Sequence, residues 1–195
     1  MKRVCSFVFA LLVFTTGGGF AEPVAIGEIR RMYSEIVDGE ATSVEKIEFA
    51  CEGDAIQGVM TIRRFDGDLM AVNLNYSAGD HGGNDQNFYF ARGALFFVFE
   101  TQQYWTFTGK ESPSGESETV DRATQNRFYF DGGQCIRKLT RQVEATNPDD
   151  IIPLLGKAAN TEVEPGGEAK EMLQRASALL RVESAADLER IFCGG

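Results

Sequence analysis

The chain has 195 residues, and 19 Lys and Arg against 29 Asp and Glu give a formal net charge of −10. That balance sets it against nucleic acid and anionic membrane surfaces as partners. Hydrophobic residues at 43% and charged residues at 25% exclude a disordered, collagenous or multi-span membrane chain.

Lys2 and Arg3 precede an apolar run over residues 4–14 and a small-residue segment ending Gly19-Phe20-Ala21, the pattern of a secretory signal with cleavage after Ala21. As a helix, that run would span about 16 Å, roughly half of a bilayer core. The expectation is a leader over residues 1–21 and a single domain over 22–195. The leader carries two cations and no acid, so the mature chain is more acidic still. The product is expected to be exported, periplasmic or extracellular, with no transmembrane segment.

Ile26, Ile29, Tyr33 and Ile36 recur at helical spacing among Arg30, Arg31 and Glu35, predicting an amphipathic helix over about 25–38. From about residue 44 the period becomes two. Met70, Val72, Leu74 and Tyr76 alternate with Ala71, Asn73 and Asn75, a strand with one buried face, reached from residues 59–65 through Asp66-Gly67-Asp68, a hairpin turn. Phe88-Tyr89-Phe90 followed by Gly93 recurs 40 residues on as Phe128-Tyr129-Phe130 followed by Gly133, which predicts two copies of one hairpin unit. Residues 94–99 are apolar on both faces, with Ala94, Phe96 and Val98 on one and Leu95, Phe97 and Phe99 on the other, so that strand is central and covered twice. After about residue 143 the pattern turns helical. Pro148 opens a short helix, Met172, Leu173, Ala176, Leu179 and Leu180 mark a longer one, and Ser184 with Asp187 three residues on caps a last one. The fold class is α+β: seven or eight antiparallel strands over about 44–143, covered by an N-terminal helix and a helical segment over about 148–192. Residues 77–86 and 109–124 are polar and glycine- or serine-rich, and read as long connections.

Past the leader, Cys51, Cys135 and Cys193 leave one pair and one free thiol in an oxidising compartment. Cys51 shares a strand face with Ile47 and Phe49, which suits a buried thiol, and Cys193 would otherwise fray. The pairing expected is Cys135 with Cys193, with Cys51–Cys193 next.

His81 is the single histidine, which excludes sites built on two of them, and no Gly-x-Ser-x-Gly elbow or phosphate-cradling glycine motif occurs. Asp80, Asn84 and Asp85 offer hard oxygens, but their spacing fits no calcium loop. No metal or cofactor is expected. The loop candidates are Asp80, His81, Asp85 and Ser114; the candidate ligand-binding rings are Phe97, Phe99, Tyr104, Trp105 and Phe107. The aromatic run reads first as core, since such rings bury the most area per residue, and secondly as an open concave face holding an apolar small molecule or a partner segment.

The order of elements, an N-terminal helix followed by a large antiparallel sheet with helices behind it, resembles that of periplasmic lipoprotein carriers. The resemblance is one of architecture over most of the mature chain, carried by no motif, and it implies an apolar ligand in the sheet's concavity. The leading expectation is a non-catalytic binding or interaction role with an unknown protein or an apolar small molecule. A carrier or sensor of a lipid-like molecule, a carboxylate-based hydrolase, and an inhibitor presenting Pro113-Ser114-Gly115 are the alternatives.

Overall fold

A computed structural model describes residues 24–77, 79–111 and 115–194; the expected leader and Ser114 lie outside them. The fold is α+β, an eight-stranded antiparallel sheet whose strands neighbour one another in chain order. The elements are α1 (Val24–Asp38), β1 (Ser43–Ala50), β2 (Gln57–Phe65), β3 (Leu69–Ser77), β4 (Gly82–Ala91), β5 (Ala94–Glu111), β6 (Ser117–Asp131), β7 (Gln134–Ala145), α2 (Ile151–Lys157), β8 (Thr161–Val163), α3 (Gly166–Leu179) and α4 (Ala185–Phe192).

The 40-residue repeat is a structural one. The β4–β5 turn places Arg92 and Gly93 at φ of 50° and 75°, and the β6–β7 turn places Gly132 and Gly133 at 55° and 79°. Two positive φ values are what a two-residue type I′ hairpin requires. Both hairpins carry a register shift at the same step, Tyr89/Phe90 and Tyr129/Phe130. This bulge corrects the strict alternation expected over residues 94–99. Leu95, opposite Phe90, packs with Val98 on one face, while Phe96 and Phe97 both pack on the other, because the extra residue of a bulge shifts every later side chain by one step.

The sheet is covered twice. Phe88, Phe90, Phe128 and Phe130 pack against Met172, Ala176 and Leu179 of α3 and Leu188 of α4. On the opposite face, Ala71, Tyr89, Phe97 and Tyr129 pack against Ile26, Ile29 and Ile36 of α1. Further along that face α2 sets Ile151 and Leu155 on Ala123, with Val143 and Ala145 beside them.

Two expected long connections are shorter. Residues 82–86 extend β4 and residues 117–124 begin β6; polar strands over an open part of the sheet carry the composition of loops. Gly82 is dictated by close approach, since a Cβ there would stand 2.3 Å from the Gln103 carbonyl oxygen. The short strand β8 also falls where only helices were expected.

The disulfide corrects the expected Cys135–Cys193 pairing: Cys51 bonds Cys193, with Cα atoms 5.2 Å apart. α4 lands on the end of β1, where the Phe192 ring stacks on Phe49 at 5.1 Å and meets Tyr76 at 4.9 Å. The next residue is thereby delivered to Cys51. Cys135 keeps its thiol, half-buried, with Sγ donating to the Arg137 carbonyl oxygen at 3.3 Å. Burial raises its pKa, which disfavours the reactive thiolate. Among the described residues no helix is long and apolar enough to cross a membrane.

Candidate functional site: a polar strip between two helices

Successive cross-strand rungs on the α1 side of the sheet change character. The first, Ala71–Tyr89–Phe97–Tyr129, is apolar and lies under α1. Two residues on, Asn73–Asn87–Phe99–Arg127 is largely polar, and the next, Asn75–Asp85–Thr101–Gln125–Arg141, is wholly so. The fourth rung, Ser77–Gly83–Gln103–Ala123–Val143, passes beneath α2 at its Ala123–Val143 end. Because side chains two apart share a face, the polar pair of rungs forms a strip between the two helices. A groove of about 580 Å³ runs over it, lined by Asn75, Asp85, Asn87, Phe99, Thr101 and, from α2, Ile152.

Side-chain hydrogen bonds order the strip in two groups. At β3–β4, Asp85 accepts from Asn73 at 2.9 Å, from Asn87 at 2.6 Å and from Asn75 at 3.5 Å, and Asn73 also donates to Asn87 at 3.0 Å. At β6–β7, the Gln125 Oε1 accepts from Arg127 at 2.9 Å and from Arg141 at 2.8 Å, while its Nε2 donates to Thr101 at 3.2 Å. Phe99 stands between them with the Arg127 guanidinium 4.9 Å over its ring.

The strip's outer end is aromatic. His81 stacks on Trp105 with centroids 4.0 Å apart, and Phe107 meets Trp105 edge-on at 5.2 Å. The Trp105 N–H donates to the His81 carbonyl oxygen at 2.8 Å, so His81 is tied to the strand. Beyond this point β5 and β6 pair only with each other among the described strands, Thr106 with Val120 and Phe107 with Thr119, and Phe107 is 59% exposed.

The candidates named from sequence therefore divide. His81, Trp105 and Phe107 come together, Phe99 and Asp85 sit in the strip, and Phe97 is buried under α1. Tyr104, one residue from Trp105, points to the other face, and Asp80 is exposed in the turn. Asn84 and Asp85, adjacent in β4, face opposite ways, so the three oxygens near residue 80 do not converge. No group of three or more metal-binding side chains occurs among the described residues.

The residues missed from sequence are Asn73, Asn87, Thr101, Gln125, Arg127 and Arg141. Their only signal was polarity at alternate strand positions, the ordinary mark of a solvated face. A larger, open depression of about 690 Å³ lies at the β1–β3 end and is lined by Glu48 and Glu189; both are exposed to water. No family model, curated protein or solved structure matches the chain.

Proposed function

We propose that this is an exported, non-catalytic binding module whose ligand seat is the polar strip between α1 and α2. One observation carries the reading. Between the parts of this sheet face that α1 and α2 cover, two consecutive rungs are left open and carry mutually hydrogen-bonded amide, carboxylate and guanidinium groups. Polar groups fixed on strands by neighbouring side chains are held in place before a ligand arrives, which lowers the entropic cost of binding. Export is supported by the leader-like segment ending at Ala21 and by the Cys51–Cys193 bond, since such bonds persist in oxidising compartments.

The test is amide chemical-shift mapping of the mature chain against a small-molecule fragment library of neutral, cationic and anionic members. Shifts should cluster at residues 73–77, 83–87, 99–105 and 123–127, with a change in fluorescence from Trp105, the one tryptophan. Clustering at another surface, or no binding at all, sinks the reading. So does turnover of chromogenic ester, phosphate or glycoside substrates that His81→Ala or Asp85→Asn abolishes.

A further inference from the structure

In a chain with ten more acids than bases, most arginines and lysines with a partner have found a carboxylate. Arg31 lies against Glu28 and Glu35, Arg122 against Glu144, Arg137 against Glu162, Lys138 against Glu168 and Arg190 against Asp187. Arg127 and Arg141 are the exception that matters. Both are half-buried, both converge on the single Gln125 Oε1, and their other acceptors are the neutral Asn160 Oδ1 at 2.6 Å and the Ala158 carbonyl oxygen at 3.4 Å. Among the described residues neither has a carboxylate within ion-pair distance. Arg175 also lacks one, but its acceptor Gln86 donates in turn to Glu100 at 2.6 Å, and its charge lies over the Tyr76 and Phe192 rings.

Two like charges drawn partly out of water without a counter-ion destabilise each other. Burial, then the charge of Arg141, lowers the Arg127 pKa. A fold retains such a pair at a cost unless something else supplies the negative charge. The opening beside Arg127 has room for it: a cavity of about 310 Å³ lined by Arg30, Tyr33, Phe97, Phe99, Arg127 and Tyr129. Each guanidinium has five N–H donors, and the described bonds occupy two on Arg127 and two on Arg141. Open N–H pairs of this kind match a carboxylate or phosphate bidentately, and the neighbouring rings offer apolar surface to whatever carries it.

We infer that Arg127, backed by Arg141, is the anion subsite of the strip, and that the ligand bears a carboxylate or phosphate on an apolar or aromatic ring. The inference rests on the strip being the ligand seat and adds the chemical class. Arg127 makes the contact; Arg141 is a positioning residue that holds Gln125 and adds its field.

The experiment titrates the mature chain calorimetrically, at fixed ionic strength in chloride, with benzoate, phenylphosphate, acetate, inorganic phosphate and the neutral benzyl alcohol. Benzoate or phenylphosphate should bind at least tenfold more tightly than benzyl alcohol and than the ringless anion of the same charge type; which of the two wins identifies the oxyanion. Arg127→Gln should abolish this preference for the anion, Arg127→Lys should weaken it about tenfold by removing the fork while keeping the charge, and Arg141→Gln should weaken it several-fold. Circular dichroism checks each variant's fold, and the comparison of anion with alcohol on the unaltered chain needs no variant. Benzyl alcohol binding as tightly as the anions, or an anion preference untouched in Arg127→Lys and Arg141→Gln, overturns the inference. Neutral fragments shifting the strip amides while no anion does so would overturn it alone and leave the strip reading standing; silence from every fragment at the strip would overturn both.

Discussion

Cutting the Cys51–Cys193 bond tests how the two ends of the domain are joined. The link closes a loop of 142 residues, for which the chain-entropy relation gives about 5 kcal/mol at 25 °C. Most of that comes from restricting the unfolded chain. At about 2–4 °C per kcal/mol for a domain of this size, the double variant Cys51→Ser/Cys193→Ser should melt roughly 10–20 °C lower. Urea unfolding without reductant is the assay, and unfolding free energies should be compared, not midpoints, because the unlinked chain expands further and raises the m-value. Cys135→Ser should cost under about 1 kcal/mol, since a serine hydroxyl can also donate to the Arg137 carbonyl oxygen. Alkylation of the native protein without reductant should be slow and confined to Cys135, whose thiol is half-buried. A double variant within about 1 kcal/mol of the parent would refute the entropic reasoning. An equal loss in Cys135→Ser would refute the pairing.

Three further outcomes follow from the packing. Glu100 is 2% exposed and accepts from Gln86 at 2.6 Å and Asn126 at 3.0 Å; Glu100→Ala orphans both amides and should cost about 2–4 kcal/mol in urea unfolding, more than Glu100→Gln, and a loss under about 1 kcal/mol would mean the network is not closed to water. Burial and then the neighbouring Tyr33 push the Tyr89 phenol well above its ordinary value. A raised folded-state pKa contributes stability that is full below the unfolded value, about pH 10 for tyrosine, and is lost as pH rises from there through the folded value. Tyr89→Phe should therefore lose less stability than the parent above about pH 10, and parallel stability–pH curves would contradict this. Phe107→Ser, at a 59% exposed position, should stay within about 0.5 kcal/mol of the parent while altering fragment binding near Trp105; a larger loss would place the ring in a core that the described residues do not form.

How much of this was legible in the sequence depends on the range over which each feature is determined. The paired hairpins were visible because turn chemistry and aromatic strand residues act within a dozen residues, and α1 because its apolar spacing is local. The bulges were not, since an extra residue in a strand looks like any other until its partner is known. Polar strand residues over 82–86 and 117–124 looked like loop, because a sheet face that meets water has no local signature to set it apart from a connection. The disulfide depended on where α4 comes to rest on Phe49, a contact between segments more than 140 residues apart.

The strip is the extreme case of that dependence. Arg127 and Arg141 lie on different strands and become neighbours only through the β6–β7 register, which sets Arg127 opposite Leu139 and Gln125 opposite Arg141. That register is fixed at the other end of the hairpin, by the Gly132-Gly133 turn and the bulge at Tyr129/Phe130. Without that bulge the pairing would slip by one residue, sending Arg141 to the α3 face and bringing Thr140 beside Gln125. The β6–β7 bulge, the counterpart of the one that disturbs the apolar alternation of β5, therefore brings the two guanidinium groups onto one acceptor, and the geometry of a tight hairpin determines the charge of the strip.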